Sequence, residues 1–210
     1  MATDATWNTS GAKWEEAAKL PITVGTHTVR LQREGAFPHV VSLRFDSSVA
    51  LLYGEVPELV HVREGRIDHE VDLWRGQKTG LFLDQRENRV AARAYARGRM
   101  LDCFSYHGAF ALQLADRCES VVALDVSEDA VGHIGRNAAR NGIGNVEARV
   151  ANVFDALRHM ERDRERFDTI VLDPPAFAKS RDAVEKAHAG YKEINLRAMK
   201  LLNPGGVLVT

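Results

Sequence analysis

Three polar side chains recur along the second half of the chain, each at or near the end of a short apolar run: Asp125, Asn152 and Asp173. A carboxylate placed like Asp125 can accept both ribose hydroxyls of an adenosine-type ligand. It reads equally as a solvated acid at a helix entrance. Asn152 can hydrogen-bond an adenine edge while Val153 packs beside the ring, and it can also cap the next helix. Asp173-Pro174-Pro175-Ala176-Phe177 is the most specific local pattern. Its two prolines fix φ and remove two donors, so the backbone there is stiff enough to hold a flat base. A purely structural turn is the alternative. The stretch Asp102-Cys103-Phe104-Ser105-Tyr106-His107-Gly108 reads as a tight loop whose N–H groups can approach a ligand closely. It has only one glycine, so the Gly-x-Gly-x-x-Gly fingerprint is absent and a nicotinamide dinucleotide site is disfavoured.

Such residues need a frame that brings them to one edge. From Met100 onward, short β-branched runs alternate with amphipathic stretches. The runs predict strands at 100–104, 121–125, 146–150, 169–172 and 207–210, with helices at 108–117, 128–141, 153–162 and 183–202. Ser127 is a candidate N-cap, with Glu128 and Asp129 at the positive end of the helix dipole. Gly142 suits a left-handed C′ position, and Asn203-Pro204-Gly205-Gly206 should stop the last helix and turn the chain. Strand and helix in alternation imply an α/β fold, a doubly wound Rossmann-like parallel sheet. Ligands of such sheets sit beyond the carboxyl ends of the strands, near the switch point. Before this region, 22–31, 40–45 and 67–74 look strand-like. The division drawn is a small β-rich segment over 1–76 and a core over 77–210.

Charge narrows the function classes. There are 28 Lys+Arg against 29 Asp+Glu, a formal net charge of −1, so no strongly basic face announces a nucleic-acid binder. Lys179, Arg181 and Lys192 are local candidates for phosphate contact, although Asp182, Glu185 and Glu193 are interleaved. Two cysteines exclude a disulfide framework and a cysteine-rich zinc site; with the histidines scattered, no metal is expected. The chain shows no secretory leader and no apolar run of about 20 residues, so a membrane role is not expected and a cytoplasmic setting is.

Together, residues 77–89, 102–110, 173–177 and 190–195 resemble the large-subunit ribosomal RNA cytosine-C5 methyltransferase family, with the class I S-adenosylmethionine-dependent fold. The similarity runs from about Leu52 to Thr210. Its most specific parts are Lys78-Thr79-Gly80-Leu81-Phe82-Leu83-Asp84-Gln85-Arg86 and Asp173-Pro174-Pro175-Ala176-Phe177. The resemblance implies that Phe104, Ser105, Tyr106 and Gly108 surround the methionine part of S-adenosylmethionine. Asp125 with neighbouring Val126 would bind ribose, and Asn152 and Val153 would face adenine. Gln85 and Arg86 would line the cleft. Asp173 and Pro174 would lie beside the methyl group and the target base, with Asp173 as a positioning residue for catalysis. Lys179, Arg181 and Lys192 would touch ribosomal RNA.

The resemblance also implies a thiolate that adds to cytosine C6 and makes C5 nucleophilic. Neither Cys103, inside a strand, nor Cys118, at a helix end, suits that role. His107 is read as a packing or solvent-facing residue rather than a base. Family members often carry Asp in place of Asn152. They also begin with a small RNA-binding domain and continue past the 207–210 strand to a Ser-Cys-Ser nucleophile. The chain therefore reads as truncated at both ends, with an incomplete sheet, weak RNA affinity and an open edge that invites pairing into a homo-oligomer. Guanine-N7 ribosomal RNA methyltransferases and a non-catalytic cofactor-binding module are the alternatives.

Overall fold

A computed structural model describes residues 43–45, 48–50, 56–76, 80–178 and 184–210. Met1–Glu55 and Val56–Thr210 are separate compact units. In the first, β1 (Leu43–Phe45) pairs antiparallel with β2 (Ser48–Ala50). The strand expected at 22–31 lies outside the described residues.

The second unit opens with a hairpin of β3 (Val60–Glu64) and β4 (Ile67–Val71). Gly65, at φ 57°, supplies the left-handed residue in its two-residue turn. The hairpin falls within the unit that starts at Val56. β4 stops at Val71 instead of running to Trp74. Asp72 Oδ1 accepts from the N–H groups of Trp74 and Arg75, both at 2.8 Å, and this local turn replaces the ladder.

Five parallel strands follow: β5 (Arg99–Cys103), β6 (Ser120–Asp125), β7 (Val146–Val150), β8 (Phe167–Leu172) and β9 (Leu202–Val209). Their order is β7-β6-β5-β8-β9. The chain thus winds outward from β5 to one edge, returns beside β5 as β8, and winds outward to the other edge. The switch point lies between β5 and β8.

Alternation along β5 explains the layering. Leu101 and Cys103 face a core with α4 (Val153–Arg162) and α5 (Val184–Leu201), where Leu157, Ile194 and Ala198 are fully buried. Met100 faces the opposite core, against α1 (Arg86–Ala92), α2 (Ala109–Leu114) and α3 (Glu128–Arg140), with Ala111, Leu114 and Ile134. Both faces are apolar, as a parallel sheet requires.

Local signals set the helix ends. Ser127 Oγ accepts from Ala130 N–H at 3.2 Å, and Asn152 Oδ1 accepts from Phe154 N–H at 3.0 Å. Gly142 takes φ 65° as the N–H of Ile143 closes onto Ala138 O. The Asn203-Pro204-Gly205-Gly206 stretch does not form a separate turn. It is an irregular part of β9: Phe167 pairs with Leu202, Thr169 pairs next with Val207, and the residues between leave register.

Polar contacts hold the hairpin to the sheet unit. Asn137 Oδ1 accepts from Glu70 N–H at 2.7 Å, and Asn141 exchanges two bonds with the backbone of Asp68. Arg89 of α1 and Glu64 of β3 form a buried two-point ion pair, with Nε–Oε1 at 2.7 Å and Nη2–Oε2 at 2.5 Å. Arg89 is 1% exposed, and its Nη2 also donates to Phe82 O. The same guanidinium lies 5.7 Å from the centre of the Phe110 ring.

Candidate active site

The loop from β5 to α2 is bent by its backbone. Phe104 (φ 61°) and Tyr106 (φ 51°) are left-handed without being glycine, at a cost of roughly 1–3 kcal/mol each. Gly108 (φ 79°) completes the bend, and a Cβ there would stand 3.0 Å from Ile134 side-chain carbons. The bend carries Ser105 across to β6, where its N–H donates to Leu124 O at 2.9 Å. It also aims Tyr106 N–H at Asp125 Oδ2, 2.8 Å away. Asp125 Oδ1 accepts from Ser127 N–H at 3.0 Å. Two backbone donors thus fix the carboxylate, and each oxygen keeps acceptor capacity.

The tips of β5, β6, β7 and β8 open onto one cleft of about 790 Å³, a volume within the range of small-molecule sites. Phe104, Ser105 and Tyr106 line it from the first loop, and Asp125 with Val126 from the second. Asn152 and Val153 follow from the third, Asp173 with Pro174 from the fourth, and Gln85 from the start of α1. Val126 is 71% exposed, an apolar surface beside a fixed carboxylate. Asn152 caps α4, and Val153 is 3% exposed with its side chain in the core under the cleft. Other expected residues lie elsewhere. Gly108 sits behind the lining against Ile134. Arg86 points to solvent and pairs with Glu87 at 3.5 Å. Lys192 is exposed on α5, and Lys179 and Arg181 lie outside the described residues.

The Asp173–Phe177 corner is held by α5. Phe177 N–H donates to the Tyr191 hydroxyl at 3.2 Å, and that hydroxyl donates to Pro175 O at 3.3 Å. The two rings lie 4.5 Å apart, and a Cβ on Gly190 would stand 3.3 Å from the Phe177 ring. Gly190 and Tyr191 therefore serve the corner's shape.

Three further groups stand in the cleft wall, and of these the sequence reading gave Asp102 and Asp129 no part in the site and His107 only a packing or solvent-facing one. Asp102 is 1% exposed and accepts from Ala111 N–H at 3.0 Å. Burial pushes its carboxyl up to about 7, and the charges of Asp173 and Asp125 add to the rise. An acid at the buried end of a strand was the available signal. His107, with Asp129 of α3 nearby, also lines the cleft, and the His107 ring stacks on Tyr106 at 3.7 Å. Both cysteines are buried and reduced. Burial pushes the Cys103 thiol far up and that of Cys118 up to about 11. Cys118 Sγ rests 3.7 Å from Met100 Sδ.

A doubly wound sheet with a fixed acid at its second strand tip and a deep cleft at its switch point defines an α/β protein built for a nucleoside-bearing ligand. A family model for S-adenosylmethionine-dependent methyltransferases matches residues 25–210, and the chain belongs to that family. Ribosomal RNA large subunit methyltransferase I of Erwinia tasmaniensis is 40% identical over 179 residues, 81% of this chain and 45% of that protein. The protein of the same name from Serratia proteamaculans is 38% identical over the same shares. The chain thus spans about half the length of the curated relatives it matches. A crystal structure of a methyltransferase complexed with SAH superposes with a TM-score of 0.67 at 28% identity, covering 76% of this chain and 43% of that one. A methyltransferase structure from Streptococcus mutans gives 0.66 at 28% identity over the same shares.

The family's cofactor is S-adenosylmethionine. The residues present fit it: a carboxylate with spare acceptor capacity, an exposed apolar neighbour, and a loop held close by left-handed backbone. No helix among the described residues is long and apolar enough to cross a membrane.

Proposed function

We propose that this chain is the cofactor-binding and base-positioning part of a methyltransferase that acts on C5 of a cytosine in large-subunit ribosomal RNA. The observation that carries the reading is the convergence of Asp125, fixed by Tyr106 and Ser127 N–H groups, with Asp173-Pro174 on one cleft. The name of the relatives from Erwinia and Serratia supports the RNA class.

Asp125 accepts the two ribose hydroxyls. Val126 flanks the adenine over the floor that Val153 supports, and Asn152, whose Oδ1 is taken by the Phe154 and Asp155 N–H groups, turns its amide nitrogen to the adenine edge. Phe104, Ser105 and Tyr106 close around the methionine part, and Gly108 permits the bend. Bound S-adenosylmethionine supplies an electrophilic methyl group. Gln85 reaches the cleft from the side of α1, while Asp173 and Pro174 hold the target base edge-on. Such a base must leave its RNA stack to enter. Lys179, Arg181 and Lys192 take phosphates, a salt-dependent contribution. Attack at cytosine C6 calls for an accessible thiolate. Cys103 and Cys118 are excluded from that role by burial and raised pKa. A protein with these tasks works where ribosomes are assembled, in the cytoplasm.

The test has two arms. Calorimetry of the chain with S-adenosylmethionine should show one saturable site that is weakened by Asp125→Ala; no binding would remove the cofactor reading. Because neither Cys103 nor Cys118 can serve as the thiolate, the second arm reads binding. The cofactor-loaded chain is titrated with fragments of large-subunit RNA. Preference for fragments with an unpaired cytosine supports the substrate proposal, whereas preference for an unpaired guanine, or no binding, overturns it.

A further inference from the structure

The histidines scattered in sequence are not scattered in space. His107 follows Tyr106 in the β5–α2 loop, and Asp129 and His133 lie one turn apart on α3. One nitrogen of each imidazole and one Asp129 oxygen all lie within 4.8 Å of one another. The two rings stack at 4.3 Å, and His133 Nε2 is 3.8 Å from Asp129 Oδ2. Both histidines are nearly sealed, 4% and 3% exposed. Among the described residues, the Nδ1 atoms of His107 and His133 have no hydrogen-bond partner.

A buried imidazole nitrogen without a partner forfeits its hydration with no return. His133 turns Nε2 towards Asp129 and Nδ1 towards Glu70, so within the cluster the unpartnered His107 Nδ1 is the atom that lacks an occupant. We propose that His107, Asp129 and His133 bind a zinc-class divalent ion, with water completing the shell. The donor set supports that class: two imidazoles and one carboxylate suit Zn²⁺, Co²⁺ or Ni²⁺, whereas Mg²⁺ and Ca²⁺ take oxygen ligands. His107 Nδ1 is buried without a partner and so has a lone pair to give. Glu70 Oε1 lies 3.8 Å from His133 Nδ1 and is itself held by Arg136 at 2.9 Å, placing a carboxylate behind the second ring. Burial keeps both rings neutral at pH 7, the form that ligates. The side chain of Asp129 is 78% exposed and can swing the short distance needed to bring its oxygen to about 2 Å from the ion. Entry is open, because His107 and Asp129 line the cleft. The ion would tie the β5–α2 loop to α3 on the cleft wall. This inference concerns a different ligand from the proposed cofactor and stands or falls separately from it.

The test uses the untagged chain, freed of metal by chelator, with the metals alone as probes. Calorimetry with ZnCl₂ should show one ion per chain, and CoCl₂ should produce ligand-field absorption in the visible. Asp129→Asn, at the surface and so compatible with the fold, and His133→Gln should each weaken Zn²⁺ at least tenfold. MgCl₂ and CaCl₂ should give no saturable heat. Absence of saturable Zn²⁺ binding, or affinity unchanged in both variants, would overturn the proposal.

Discussion

Tyr106 donates its backbone N–H to Asp125 Oδ2 at 2.8 Å, so a residue in a left-handed conformation anchors the acid of the neighbouring strand. Replacing Asp125 by Ala removes the acceptor and frees this N–H together with that of Ser127. Each hydrogen bond to a charged group contributes about 1.5–3 kcal/mol. S-adenosylmethionine affinity should therefore fall by at least tenfold, on the order of a hundredfold if both ribose contacts are lost. Asp125→Asn should fall between the two. Calorimetry with the three proteins checks the order.

The buried pair of Arg89 and Glu64 predicts a large asymmetry between single and double changes. Glu64→Leu or Arg89→Met leaves one charge sealed in the core, at a cost of about 3–5 kcal/mol. The double variant Glu64→Leu with Arg89→Met should recover much of that loss. Urea unfolding of the four proteins measures it, and additive losses would contradict the account.

Gly108→Ala meets two obstacles. The backbone stands at φ 79°, and the new methyl would lie 3.0 Å from Ile134 carbons. A left-handed non-glycine residue costs about 1–2 kcal/mol before any clash. A loss of about 2 kcal/mol in unfolding free energy is expected, together with weaker cofactor binding as the loop shifts.

Asp102 should give stability a distinct pH signature. Its folded pKa, about 7, lies above the usual carboxylate value of 3.8, chiefly through burial. The folded form holds the proton more tightly, so its contribution is fully present below about pH 4 and is lost as pH rises through 7. His69 and His107 act the other way. Burial lowers each to about 4, and stability from them falls as pH drops from 6.5. The difference between the native chain and Asp102→Asn isolates the acid. The native chain should lose ground to the variant between about pH 4 and 7, and parallel stability curves would refute the assignment.

Tyr191→Phe deletes the hydroxyl between Pro175 O and Phe177 N–H while leaving the ring contact with Phe177. Each bond contributes about 0.5–1.5 kcal/mol. The melting temperature should drop by a few degrees, and amide exchange should speed up at Phe177 while the β5 amides keep their protection.

The sheet was legible because β5, β6 and β8 are buried on both faces and read as apolar runs. The cleft was legible because parallel strands put their tips on one side, so Asp125, Asn152 and Asp173 had to converge there. What stayed hidden is physical too. α1 escaped notice because its inward face carries Arg89 beside Ala92, and a buried arginine breaks the apolar period. β3 ends inward on Glu64, partner of that same arginine. β9 starts earlier than expected because the Asn203–Gly206 stretch leaves register without leaving the strand. Asp102 was quoted with the loop that follows it, and its place between the apolar Leu101 and Cys103 was the sign of burial left unused. His107 and His133 stand 26 positions apart, and only the packing of α3 beside the loop joins them.

The torsions of Phe104 and Tyr106 carry a kinetic implication. Folding has already forced this segment into a shape that a free peptide would seldom sample. An arriving nucleoside meets a finished mould, and no hinge at these residues has to rotate before contact is made. Capture through this wall should then scale linearly with ligand concentration, without the plateau that a slow rearrangement imposes.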